Sequence, residues 1–189
     1  MQDPADLPPP PALPATLPLR DGRRVTVREI LPEDKEALQA AIGHMSTDSR
    51  YTRFMGTVRD LPDTMLEAAT HPVPEREFAL VAVAAEGSGE SIIGGARYAS
   101  NAGSDTCEFA IAIVDGWQGQ GLAPRLMETL VAAAEAHGFR CMEGYVLSTN
   151  APMRGLAKRL GFQESQVPGD ATVRMVRRVL GRGHEAAPG

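Results

Sequence analysis

The sequence predicts a mixed α/β domain, a central sheet with helices on its faces, and three observations carry that reading. Arg23–Ile30 alternates polar with aliphatic residues and is rich in valine, the pattern of a half-buried strand. Arg76–Ser100 reads as two strands joined around Gly87 and Gly89, and Ser104–Asp115 as a third, which together describe a meander. After Asp115 the apolar period switches from two to 3.6: Leu122, Leu126, Leu130 and Ala134 recur until Gly138 ends the run.

Each remaining element has its own local reason. Pro32 and two acids suit a first helical turn, and Leu38, Ala41 and Ile42 continue the helix at the right spacing. Ser46 or Thr47 caps a short second helix; a third, starting near Leu61, is stopped by His71 and Pro72. Beyond the long helix come a strand at Cys141–Leu147, a helix capped by Asn150 and stopped by Gly161, and a last strand at Ala171–Leu180. Residues 1–20 are too rich in proline to supply ladder donors and are expected to form a disordered tail. Residues 181–189 read as a second tail, leaving one domain over 21–180.

Composition narrows the function classes. A net charge of -5 with 5% aromatic residues argues against a nucleic-acid binder, which would show a basic stripe. No apolar stretch is long enough to span a bilayer and no secretory signal is visible, so a cytoplasmic protein without a membrane partner is expected. Cys107 and Cys141 lack metal-ligand spacing and read as buried reduced thiols, with no metal implied.

The stretch DGWQGQGLAPRL, Asp115 to Leu126, lies where a strand hands over to a helix. Helix N-termini carry unpaired N–H groups that suit a phosphate, and Gly119 and Gly121 let the backbone approach one closely. A Walker A loop would need a lysine and a hydroxyl residue after its last glycine, and neither is present. A dinucleotide fingerprint would need a third glycine where Pro124 stands, although Glu143 lies near the place of a ribose-binding acid. On these residues alone, a turn using its glycines for geometry only stays open as the alternative.

Gln118-Gly119-Gln120-Gly121-Leu122-Ala123 matches the Q/R-x-x-G-x-G/A signature of the GNAT superfamily of acyl-CoA-dependent N-acyltransferases, at the same strand-to-helix junction. STNAPMRGLAKRLGF resembles that superfamily's next signature, and the element order agrees from Arg23 to Leu180. Within it, MSTDSRYTRFMG, EFAIAIVDGWQGQGLAPRLM and GYVLSTNAPMRGLAKRLGF resemble the acetyltransferase domain of bacterial protein lysine acetyltransferases that modify acyl-CoA synthetases. Those domains are commonly fused to a regulatory or synthetase-like partner, which this chain does not show. The resemblance implies a GNAT fold: a mostly antiparallel sheet of six to seven strands, splayed between the two that flank the cofactor.

It also implies a site. Backbone N–H groups from Gln118 to Ala123 would hold the acetyl-CoA pyrophosphate, the strand end at Ile113 and Val114 would pair with the pantetheine arm, and Asn150 would contact that arm near the thioester. Asn150 as a plain helix cap is the equal alternative. The expected partners are acetyl-CoA and an amine acceptor, a protein lysine first, with the chain a monomer or homodimer.

Transfer to an amine needs a base, because an ammonium has no lone pair. Strand alternation puts Phe109, Ile111 and Ile113 on one face and Glu108, Ala110 and Ala112 on the other. Glu108, partly desolvated beside two small residues, is the candidate, and the relatives carry their base in the same EFA context; a solvent-facing glutamate is the plain alternative. One departure stands out: the tyrosine that protonates the leaving thiolate in many GNAT enzymes is replaced by Ala157. Ser148 is a substitute donor, and Cys141 an unfavoured acyl carrier. Arg50, Tyr51, Arg53 and Phe54 would flank the acceptor side. A small-molecule amine acetyltransferase and a non-catalytic acyl-CoA sensor are the competing functions.

Overall fold

The computed structural model describes residues 12–54 and 60–181. Eight strands form one sheet in the order β1-β2-β3-β4-β5-β6-β8-β7. They are β1 (Ala15–Pro18), β2 (Arg24–Glu29), β3 (Glu77–Glu86), β4 (Gly89–Ala99), β5 (Thr106–Ile113), β6 (Cys141–Leu147), β7 (Gln163–Val167) and β8 (Asp170–Val179). Every neighbouring pair runs antiparallel except β5 with β6. The helices are α1 (Lys35–His44), α2 (Thr47–Phe54), α3 (Asp63–Thr70), α4 (Leu122–Ala136) and α5 (Ala151–Arg159).

The expected fold class holds, with two additions. β7 reads QESQV, without the apolar alternation that marks a strand, because it is an exposed edge with no face to bury. The tail expected through residue 20 is corrected at Ala15–Pro18, which pairs with β2 from Ala15↔Val27 to Pro18↔Arg24. Prolines are tolerated there because an edge strand needs ladder donors on one side only. Residues 1–11 and 182–189 of the two expected tails lie outside the described residues.

Alternation along the strands sorts the core into two clusters on opposite faces of the sheet. Leu80, Ala82, Tyr98 and Phe109 pack with Leu126, Met127 and Leu130 of α4, while Val81, Val83 and Ile92 pack with Ala41 of α1. Leu122, Leu126, Met127 and Leu130 are essentially sealed from solvent; burying each contributes about 1.5–3 kcal/mol, which fixes the start of α4 against the sheet. At the other end of the chain's first crossover, Asp34 accepts two bonds from Arg28, at 2.7 and 2.8 Å, and one from the Leu31 amide at 2.7 Å. These tie the end of β2 to the start of α1. No described helix is long and apolar enough to cross a membrane.

Candidate functional site

β5 and β6 are paired over three residues only, Thr106↔Cys141, Cys107↔Met142 and Glu108↔Glu143. Past Glu108 the ladder ends although both strands continue, so the sheet is splayed there as expected. A cavity of about 670 Å³ opens between them, inside the range of small-ligand sites. Its wall takes Ile111 and Ile113 from β5, Tyr145 and Val146 from β6, and the start of α4.

Antiparallel pairing decides which backbone groups face this gap. The Val114 amide bonds to the Ile93 carbonyl of β4 at 2.9 Å, and bonded pairs alternate down the ladder, so Ala112 and Ala110 also turn their backbone groups to β4. Phe109, Ile111 and Ile113 therefore turn theirs toward β6, where beyond Glu108 no ladder receives them. The expectation for Val114 is corrected: its amide is held by Ile93 and its carbonyl by the Trp117 amide at 2.8 Å, and its side chain borders a different cavity. Ile111 takes its place, a residue whose parity only the β4 register reveals. The Ile113 carbonyl already accepts from Gln118 Nε2 at 3.0 Å, and the same nitrogen donates to Ser49 Oγ at 3.2 Å.

The loop that follows is built for close approach. Asp115–Trp117 makes a short 3-10 turn, and Gly119 and Gly121 then adopt φ of 72° and 89°, the left-handed region that a Cβ penalises. Gly121 is the N-cap of α4. The Gln118 amide is taken by the Asp115 carbonyl at 3.2 Å, a correction to its expected role as a free donor. Among the described residues no backbone carbonyl receives the amides of Gly119, Gln120 or Gly121, and Leu122 and Ala123, in the first helical turn, have no intrahelical acceptor. Pro124 has no N–H to leave unpaired. Gly119, Gly121, Leu122 and Ala123 border the cavity; Gln120 does not, and its carbonyl instead accepts from the Arg20 amide at 3.1 Å.

Asn150 borders the same cavity and caps α5, its Oδ1 accepting from the Met153 amide at 3.2 Å, as the cap reading expects. Glu108 lies on the wall too, on the face shared with Ala110 and Ala112, but it is exposed and not partly desolvated as expected. Next to it, Ala110 and Ala112 also border a second cavity of about 150 Å³, roofed by Leu38 of α1 and Met65 of α3.

Asp115 and α2 are coupled: the Ser46 amide donates to Asp115 Oδ1 at 3.4 Å, and the Ser46 and Ser49 side chains hold that carboxyl below the usual carboxylate range. Ser46 is the cap of α2, its Oγ accepting from the Ser49 amide at 3.1 Å. The side chains of Tyr51, Arg53 and Phe54, expected on the acceptor side, lie outside the described residues. Ser148 and Cys141 do not border the large cavity, and Cys141 is buried beside Arg177, which removes it as an acyl carrier. Sequence reasoning missed Tyr145 and Arg20 on the cavity wall. Alternation against buried Met142 and Val146 would have put Tyr145 on the Glu108 face.

A splayed α/β sheet with a free-amide loop at one end of the gap has the shape to take a long carrier with an anionic end. Residues 36–162 match the Acetyltransferase (GNAT) family, and the chain belongs to that family. It is 33% identical over 154 residues to an acetyltransferase of Pseudomonas aeruginosa, spanning 82% of this chain and 83% of that one. The GNAT domain of S. lividans PAT superposes with a TM-score of 0.78 at 27% identity, over 88% of this chain and 96% of that domain. A Salmonella typhimurium protein solved with acetyl-CoA as its cofactor shares the fold, with a TM-score of 0.65, 23% identity and coverage of 87% and 98%. The chain is thus an acyltransferase of the GNAT type.

Proposed function

We propose that this enzyme moves an acetyl group from acetyl-CoA to a primary amine, a protein lysine first, by direct attack with Glu108 as general base. The observation that carries the reading is the meeting of three features in one cavity: the unpaired amides of Gly119, Gly121, Leu122 and Ala123, the open edge of β5, and Glu108 on the same wall. The four amides fit a diphosphate, since they need a dispersed negative charge and offer no side chain of their own. Ile111 and Ile113 would pair with the amides of the pantetheine arm as an extra strand pairs with a sheet edge. Ile113 does so by exchanging the side-chain amide of Gln118 for the arm.

A lysine ammonium with pKa near about 10.4 must lose a proton before it attacks. Glu108 accepts that proton, directly or through one water, as the nitrogen lone pair forms its bond to the thioester carbonyl carbon. The carbon–sulfur bond then breaks and the thiolate leaves, while the second proton of the attacking nitrogen passes to water or to the departing sulfur; the thiolate is a weak enough base to need little acid assistance, which fits Ala157 where a phenol would stand. Bound cosubstrate and acceptor would cover Glu108, supplying the desolvation that the protein alone does not. Buried reduced Cys107 and Cys141 accord with the cytoplasmic setting in which acetyl-CoA is made.

The test is thiol release from acetyl-CoA across lysine peptides, free amino acids, polyamines and aminoglycosides. Lysine peptides should respond best, and Glu108→Gln should lower turnover on the responsive amine by about 10²–10⁴-fold. Turnover unchanged by that substitution at saturating acetyl-CoA would remove Glu108 as the base, and acetyl-CoA binding without release for any amine would make the chain a sensor.

A further inference from the structure

The turn between β1 and β2 is fastened to the cofactor loop through Arg20 and Arg23, and each of its charged side chains has a partner except one. The Arg20 amide donates to the Gln120 carbonyl at 3.1 Å. Arg23 donates to the Gly116 carbonyl at 3.0 Å, pairs with Asp21 at 2.6 Å and stacks 3.6 Å above the Trp117 ring. The Arg20 guanidinium is the exception. Among the described residues it has neither a carboxylate nor a carbonyl partner, and it lies on the cavity wall against Gly121, where a Cβ would sit 3.6 Å from Arg20 Nε.

Arg20 is exposed, and its placement is by itself mildly unfavourable. Gly121 caps α4, so Arg20 puts a full positive charge at the positive end of a helix, beside amides that are themselves unpaired donors. Arg159, the other arginine on the cavity wall, is the control within the same molecule. It stands in the last turn of α5, where a cation is favoured with no ligand at all. A cation set among donors at a helix start becomes favourable only when an anion joins them.

We infer that Arg20 is a specificity residue for the cosubstrate, delivered by the β1–β2 hairpin to the diphosphate that the amides of Gly119, Gly121, Leu122 and Ala123 receive. The inference rests on the acyl-CoA reading and adds a second element, from the opposite end of the sheet, to the phosphate site. Its cation supplies the charge that a cradle of backbone amides lacks.

Calorimetry on the full chain with CoA, dephospho-CoA and millimolar pantetheine tests it. Wild type must first bind CoA; if it does not, the acyl-CoA reading itself fails, whatever Arg20 does. Arg20→Ala should weaken CoA and dephospho-CoA alike by about five- to tenfold, the size of one solvent-accessible charge-assisted contact, and leave pantetheine binding unchanged. Arg20→Lys should recover part of the loss. The ligand-free Arg20→Ala protein should unfold at the wild-type temperature or above it, because an unfavourable charge has been removed. Undiminished CoA affinity overturns the inference. So does a loss confined to CoA, which would put Arg20 on the ribose phosphate, an equal loss for pantetheine, or a ligand-free unfolding temperature several degrees lower.

Discussion

Gly144→Ala tests how tightly the wall of the splay is built. A Cβ at Gly144 would lie 2.5, 2.7 and 2.9 Å from three carbons of the Phe109 ring, where carbon contacts normally settle at about 3.5–4.0 Å. The ring cannot simply rotate away, since Phe109 is buried and holds Phe162 edge to face with centroids 5.4 Å apart. It has to move into the large cavity that it borders. Overpacking of this kind costs about 1–3 kcal/mol, and the reduced freedom of the unfolded chain returns about 0.4–1 kcal/mol. A net loss of about 1–2 kcal/mol corresponds to an unfolding midpoint about 2–8 °C lower. Thermal unfolding of Gly144→Ala, Phe109→Leu and the double variant measures it: with the ring gone the alanine should cost nothing, a coupling of at least about 1 kcal/mol. An unfolding midpoint at or above wild type for Gly144→Ala, or strictly additive losses in the double variant, would refute the contact.

Asp34→Asn should cost about 2 kcal/mol in urea unfolding at neutral pH, because it discharges one partner of a largely buried two-bond ion pair with Arg28. Arg28 holds the Asp34 carboxyl below the usual carboxylate range. That stabilisation is full above the unfolded pKa of about 3.9 and fades as pH falls from there toward the folded value. The gap between wild type and variant should therefore narrow below about pH 4; a constant gap would mean the pair's charge is not what stabilises it. Burial pushes the Cys107 thiol up to about 12, with its Sγ 3.6 Å from the Cys141 carbonyl. Thiol reagents at pH 8 should label it in denaturant and leave it untouched in the native protein, and labelling of the native protein at the rate of a free thiol would contradict its burial.

Features that use a single period were legible in the sequence. α4 announces itself because its buried stripe repeats along one helix, and β5 because alternation alone separates Glu108, Ala110 and Ala112 from Phe109, Ile111 and Ile113. β7 was not legible, since QESQV buries nothing and carries no hydrophobic pattern. β1 was hidden by Pro18 and the prolines before it, whose tolerance depends on being an edge, a property of the assembled sheet. The loop glycines were legible in kind, because Gly119 and Gly121 do occupy positive φ.

The exchange of Val114 for Ile111 shows why the rest needed coordinates. Side-chain alternation can be counted from any one strand, but whether a residue's N–H points left or right depends on the partner's register, and nothing within AIAIV states that β4 takes the even positions. The single bond from Val114 to Ile93 settles the parity for the whole strand and moves the pairing edge to Ile111 and Ile113. Arg20 poses the same problem at longer range. Nothing near it in sequence contains a phosphate signal, and only the docking of the hairpin on Gln120 and Gly116 brings it to the loop. The phosphate site we propose is therefore half visible in the sequence: its glycines are local and legible, while Arg20, the cation proposed to complete it, comes from an element whose docking no local pattern records.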